Sequence, residues 1–112
     1  MAYLSQVQTP GPILSASFSV ASIGDNTVVA AVAGKKIDIV RIMFTNTGAN
    51  SITFKDGAGT ALTGVMDFAA LAPFYAEGDN CPLFETATGN AFIINLTAAT
   101  KVAGKVDYTL SP

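Results

Sequence analysis

Ser15-Ala16-Ser17-Phe18-Ser19-Val20 puts serines on one side of an extended chain and Ala16, Phe18 and Val20 on the other. Successive side chains of a strand point to opposite faces, so this is the period of a half-buried β-strand; a helix would repeat its apolar residues every three or four. The far end of the chain does the same, with Val106, Tyr108 and Leu110 alternating against Lys105, Asp107 and Thr109. Two strands with one dry face each require a second layer to cover those faces.

Between these ends the apolar signal is stronger and the alternation weaker. Residues 27–33 (TVVAAVA), 36–46 (KIDIVRIMFTN) and 91–96 (AFIINL) are rich in β-branched and aromatic β-formers. In the second, Ile37, Ile39 and Met43 fall on one face, and Val40, Ile42 and Phe44 on the other. A strand apolar on both faces is buried on both, whether by a second sheet, a neighbouring subunit or a bulge that switches its faces. Turn signals recur at 24–26, 34–35, 46–50, 56–59, 88–90 and 103–104, the spacing of a sandwich or barrel. Residues 51–55 and 60–62, joined by Asp56-Gly57-Ala58-Gly59, read as a hairpin. Residues 67–71 are the one stretch able to form a helical turn, but Pro73 ends it, and a strand or loop is expected there. The fold class is therefore all-β: a single antiparallel β-sandwich over residues 13–112, preceded by an extended arm, residues 1–12. Gln6, Gln8, Pro10 and Pro12 cannot build a continuous ladder, and Tyr3, Leu4 and Val7 are the candidate anchors by which the arm would hold a neighbour.

Composition points to an assembly. Half of the 112 residues are hydrophobic and only 12% are charged, where about 25% is usual for a globular domain. With a mean hydropathy of +0.45, the excess apolar side chains are expected on a protein contact. The net charge of −2 and a pI near 4.7 give no basic footprint for nucleic acid. The longest apolar run, 37–44, is broken by Asp38 and Arg41 and falls far short of the roughly 20 residues of a membrane helix. No signal-peptide pattern stands in residues 1–12, so synthesis in a cytoplasm is expected, and the sequon Asn95-Leu96-Thr97 reads as accidental. Cys81, the single cysteine, excludes an intrachain disulfide and is expected as a small buried hydrophobe.

The chain has no histidine, which removes the commonest general base and metal ligand. Glu77 and Asp79 lie close together but lack the register of a calcium loop, and they read as solvated charges. No catalytic residue, metal site or cofactor is expected, and the chain is read as a non-enzyme. Seven Phe and three Tyr without Trp favour core packing over a carbohydrate platform. Phe74-Tyr75 is the aromatic pair expected nearest a surface, and it reads either as a partner contact or as ordinary core packing.

Residues 28–37 (VVAAVAGKKI), 54–57 (FKDG), 60–64 (TALTG), 82–92 (PLFETATGNAF) and 104–109 (GKVDYT) together resemble small β-sandwich proteins of tailed-bacteriophage virions, some of them capsid decoration (cement) proteins. The resemblance covers residues 27–110. It implies a jelly-roll-like sandwich, commonly a homotrimer, on the outer surface of a capsid, where it would bind the major capsid protein and stabilise the lattice. A tail-fibre, spike or neck domain that binds host glycan or another tail protein is the alternative.

Overall fold

The computed structural model describes residues 12–78 and 81–112. Ten strands form without a helix among them: β1 (Leu14–Val20), β2 (Gly24–Val29), β3 (Lys36–Asn46), β4 (Asn50–Asp56), β5 (Thr60–Ala61), β6 (Met66–Phe68), β7 (Pro73–Glu77), β8 (Phe84–Glu85), β9 (Phe92–Leu96) and β10 (Val102–Ser111). The antiparallel pairs are nested: β1 with β10, β2 with β9, β3 with β7 and β8, β4 with β5 and β6. That is one long hairpin rolled so that its arms alternate between two sheets. Sheet A runs β1-β10-β3-β7, with β8 also on β3; sheet B runs β2-β9-β4-β5, with β6 also on β4. The chain is a β-sandwich of jelly-roll topology.

Alternation does in the structure what it does in the sequence. Ala16, Phe18 and Val20 of β1 pack on the core while Ser15, Ser17 and Ser19 are exposed. The hairpin of β4 and β5 closes through Gly57, whose φ of 63° an L side chain rarely adopts. Residues 67–71 continue β6 and then turn into β7.

The apolar-on-both-faces reading of 36–46 resolves into a bulge. The β3–β10 ladder shifts between Arg41 opposite Asp107 and Ile39 opposite Tyr108, leaving Val40 as the extra residue. Before it, Ile37 and Ile39 face the core; after it, Ile42 and Phe44 do. Neither a neighbouring subunit nor a third layer is needed to bury them. A second shift leaves Val28 unpaired in β2, and the strand ends at Val29, so residues 30–33 form an exposed connection and not the expected strand.

All seven phenylalanines join one interior cluster. Phe44 of sheet A touches the rings of Phe18, Phe54, Phe68 and Phe74, and Phe54 of sheet B touches Phe44, Phe74, Phe84 and Phe92. Edge-to-face and offset pairs of this kind add about 0.5–1.5 kcal/mol each beyond the area they bury. They couple the two sheets through their middle.

Candidate interaction surface

The outer face of sheet A is assembled in rows by strand register. Ser15, Asp107, Arg41 and Glu77 lie across β1, β10, β3 and β7; the next row is Ser17, Lys105, Met43 and Tyr75. The Val40 bulge is what puts Arg41 and Met43 on this face, since without it the phase that buries Ile37 and Ile39 would bury them too.

Charge in the first row is locked. Asp107 is 3% exposed and accepts hydrogen bonds from the Ser15 hydroxyl at 2.6 Å and from Arg41 Nε at 2.7 Å. Lys105 Nζ lies 3.2 Å from the same carboxylate. The Ser15 hydroxyl bond, with Arg41 and Lys105 behind it, holds the Asp107 carboxyl at about 2, against the pull of burial. Arg41 Nη1 reaches Glu77 Oε2 at 3.4 Å, and the Tyr75 phenol donates to Glu77 Oε1 at 2.7 Å. That phenol bond is the main reason the Glu77 carboxyl sits below its ordinary range and the Tyr75 phenol above its own. The hydroxyl of Tyr75 is thus tethered while the residue as a whole stands 55% exposed beside Met43, at 41%. Between them lies a shallow depression of about 270 Å³ lined by Arg41, Ile42, Met43, Tyr75, Lys105 and Asp107.

The expected partner pair is split by strand alternation. Tyr75 faces outward, whereas Phe74 points the other way, stacks on Phe44 at 5.0 Å between centroids and packs, partly buried, against the core. Tyr3, Leu4 and Val7 lie outside the described residues, as does Asp79. Glu77, expected as a solvated charge, is exposed, and it is also held by Arg41 and Tyr75. Cys81, expected as a buried hydrophobe, is instead exposed, as is Pro82 beside it. Among the described residues no cluster of three or more His, Cys, Asp or Glu is placed to hold a metal, and no helix is long and apolar enough to cross a membrane. Ser15, Arg41, Met43, Lys105 and Asp107 were not singled out by sequence reasoning. The polar phase of β1 and β10 already held Ser15, Lys105 and Asp107 on one side; what was missing was which strands lie next to each other.

Elsewhere in sheet A, a second acidic contact stands where β3 meets β8. Asp38 is buried and its Oδ1 has no hydrogen-bond partner, and the neighbouring Glu85 is pushed above its ordinary range by the hydrogen-bond contact with Asp38. Lys36 approaches Glu85 at 3.9 Å and offsets part of this.

Fold and surface together define a jelly-roll sandwich that presents a charge-balanced face with an exposed aromatic on its edge strand, β7. A scan of protein-family models and a search of curated proteins find no match to the chain.

Proposed function

We propose that this chain is a non-catalytic structural subunit of a tailed-bacteriophage virion, of the capsid decoration type. Made in the host cytoplasm, it assembles with copies of itself, as a homotrimer, and attaches to the major capsid protein on the outer surface of the shell. The observation that carries the contact role is the outer face of sheet A. Tyr75 and Met43 stand exposed on a sheet too well tethered to fold them away, and the surrounding charges are already paired, so covering the face strands none of them. The phage setting is supported by the sequence resemblance over residues 27–110 and by the jelly-roll topology, which viral capsid domains share with lectins. On a repeating lattice many weak contacts add through avidity.

The test compares phage particles made with and without this protein. Binding to the bare capsid and a higher temperature of DNA release are expected from the wild-type chain, with both reduced by Met43→Asp. A chain that neither binds bare capsids nor changes their heat resistance sinks the decoration reading. Deleting residues 1–12 should weaken attachment more than folding; equal loss of both would refute the arm's role. An exposed tyrosine beside a depression with Arg41 and Asp107 at its margin also favours a second reading, a tail-fibre or spike domain that stacks a host sugar on Tyr75. Polysaccharide binding lost in Tyr75→Ser, with no capsid binding, would select it.

A further inference from the structure

The turn between β6 and β7 breaks the rules of turn chemistry. Residues 69–73 read Ala-Ala-Leu-Ala-Pro, with no Gly, Asn, Asp or Ser among them, although 69–71 are exposed. At the apex Leu71 has a φ of 61°, the left-handed conformation that a bulky residue avoids, and its side chain is 75% exposed. The turn is nevertheless fixed: the Leu71 amide donates to the Asn46 carbonyl at 2.8 Å, and the buried Asn46 side-chain amide donates to the Ala69 carbonyl at 2.7 Å. Glycine or asparagine here would relieve the backbone and wet the surface, so folding alone gives no reason for leucine. What leucine provides is a rigid apolar knob.

The same molecule carries a hollow of the right chemistry, the depression beside Met43 and Tyr75. The charges around it cancel: Arg41 is paired with Asp107 and Glu77, and Lys105 with Asp107. A neutral apolar group can enter without stranding any of them, and residues 68–76 (FAALAPFYA) bring no charge of their own. We propose that a second copy of this chain seats its Leu71 in the Met43–Tyr75 depression. This deepens the reading of sheet A as a contact surface, on which it rests, by naming the occupant. Knob and hollow are different patches, so the contact closes either as a ring or as a two-fold pair with two such contacts.

Sedimentation velocity and native mass spectrometry test it with two variants. Leu71→Asp removes the knob at a position where aspartate tolerates the backbone; Met43→Asp charges the hollow opposite Lys105, leaving the fold intact by circular dichroism. The wild type should associate at micromolar concentration, and each variant should weaken association about tenfold or more, as loss of a buried anchor does. Mixing the variants should restore a mixed species, because one knob and one hollow remain. A wild-type chain monomeric at about 100 µM, above the range where a specific contact operates, overturns the proposal, as does a mixture that fails to recover association. If Met43→Asp weakens association and Leu71→Asp does not, the contact surface survives and its proposed occupant falls.

Discussion

Replacing Gly104 by alanine sets two physical effects against each other, and their magnitudes decide the sign. Glycine inside a strand is worse than alanine by about 0.5–1 kcal/mol because of its greater freedom when unfolded. Local propensity therefore predicts that Gly104→Ala stabilises. The packing predicts the opposite. A Cβ at this position would overlap the Met43 carbonyl oxygen and stand 2.6 Å from Phe44 Cα. Both belong to the backbone of β3, so no rotamer change relieves them. Gly104 also lies between Phe18 on β1 and Phe44 on β3 in register, and the two rings meet with centroids 6.5 Å apart. Overpacking a core costs about 1–3 kcal/mol or more, and weakening the ring contact adds about 0.5–1.5. Net of the propensity gain, destabilisation of about 2–3 kcal/mol is expected, which at the usual urea slope of about 1–3 kcal/mol per molar lowers the midpoint by about 0.7–3 M. Gly59→Ala is the control: nothing lies within 4 Å of its Cβ, and it should be neutral or slightly stabilising. Urea unfolding followed by circular dichroism reads both. A Gly104→Ala midpoint equal to or above the wild type would show that β10 and β3 are not this close and that the centre of sheet A is wrongly understood.

Phe44→Ala removes a ring in contact with four others and should cost about 3–5 kcal/mol in chemical denaturation, a value near zero meaning that the core is misplaced. The Asp107 carboxyl, held at about 2 against an ordinary 3.8, keeps its stabilising charge above pH 4 and loses it as pH falls toward 2. Asp107→Asn should flatten the melting temperature across that window and cost about 1–2 kcal/mol at neutral pH after allowance for solvent screening, whereas an unchanged acid limb would break the link to Ser15 and Arg41. Glu85 works in the other direction. Its raised carboxyl binds a proton more tightly folded than unfolded, so its contribution is greatest in acid and declines as pH rises. Glu85→Gln should raise the melting temperature at pH 7 and lose that advantage near pH 4; a variant less stable at pH 7 would mean that Lys36, not Asp38, governs the position.

What could be read from the chain was whatever a single strand carries by itself. The alternation of β1 and β10, the hairpin through Gly57 and the inward preference of phenylalanine each need no knowledge of neighbours. The Val40 bulge was not legible as such, because inserting one residue changes the phase of a period-two pattern without changing any residue type. Ile-Asp-Ile-Val-Arg-Ile-Met-Phe reads equally well as two apolar faces or as one face that switches, and only the pairing of Tyr108 with Ile39 distinguishes them. The candidate surface was hidden for the same reason at larger scale. Ser15 and Asp107 are 92 positions apart in sequence yet share a 2.6 Å hydrogen bond, and register is a property of pairs. Phe74 and Tyr75 could be recognised as important together but not assigned to opposite faces until the strand between Pro73 and Glu77 was known.

The bulges also change what the low charge means. An apolar excess attributed to strands buried on both faces argues for an interface along those strands, but once the faces switch, a single core absorbs Ile37, Ile39, Ile42 and Phe44. The exposed sides are wetted by neutral groups, with Ser15, Ser17 and Ser19 on sheet A and Thr27, Thr53 and Asn95 on sheet B, so few charges are required. Low charge therefore does not by itself demand a partner. The demand falls on a few side chains that the core had no need to expel. Ile23, Val65 and Leu71 project from turns, and Met43 and Tyr75 from the outer face of sheet A, all more than 40% exposed. Of these, Leu71 alone combines exposure with a left-handed backbone. Among the described residues it is the position where stability and solubility would both favour replacement, which makes it the sharpest place to ask what the surface is for.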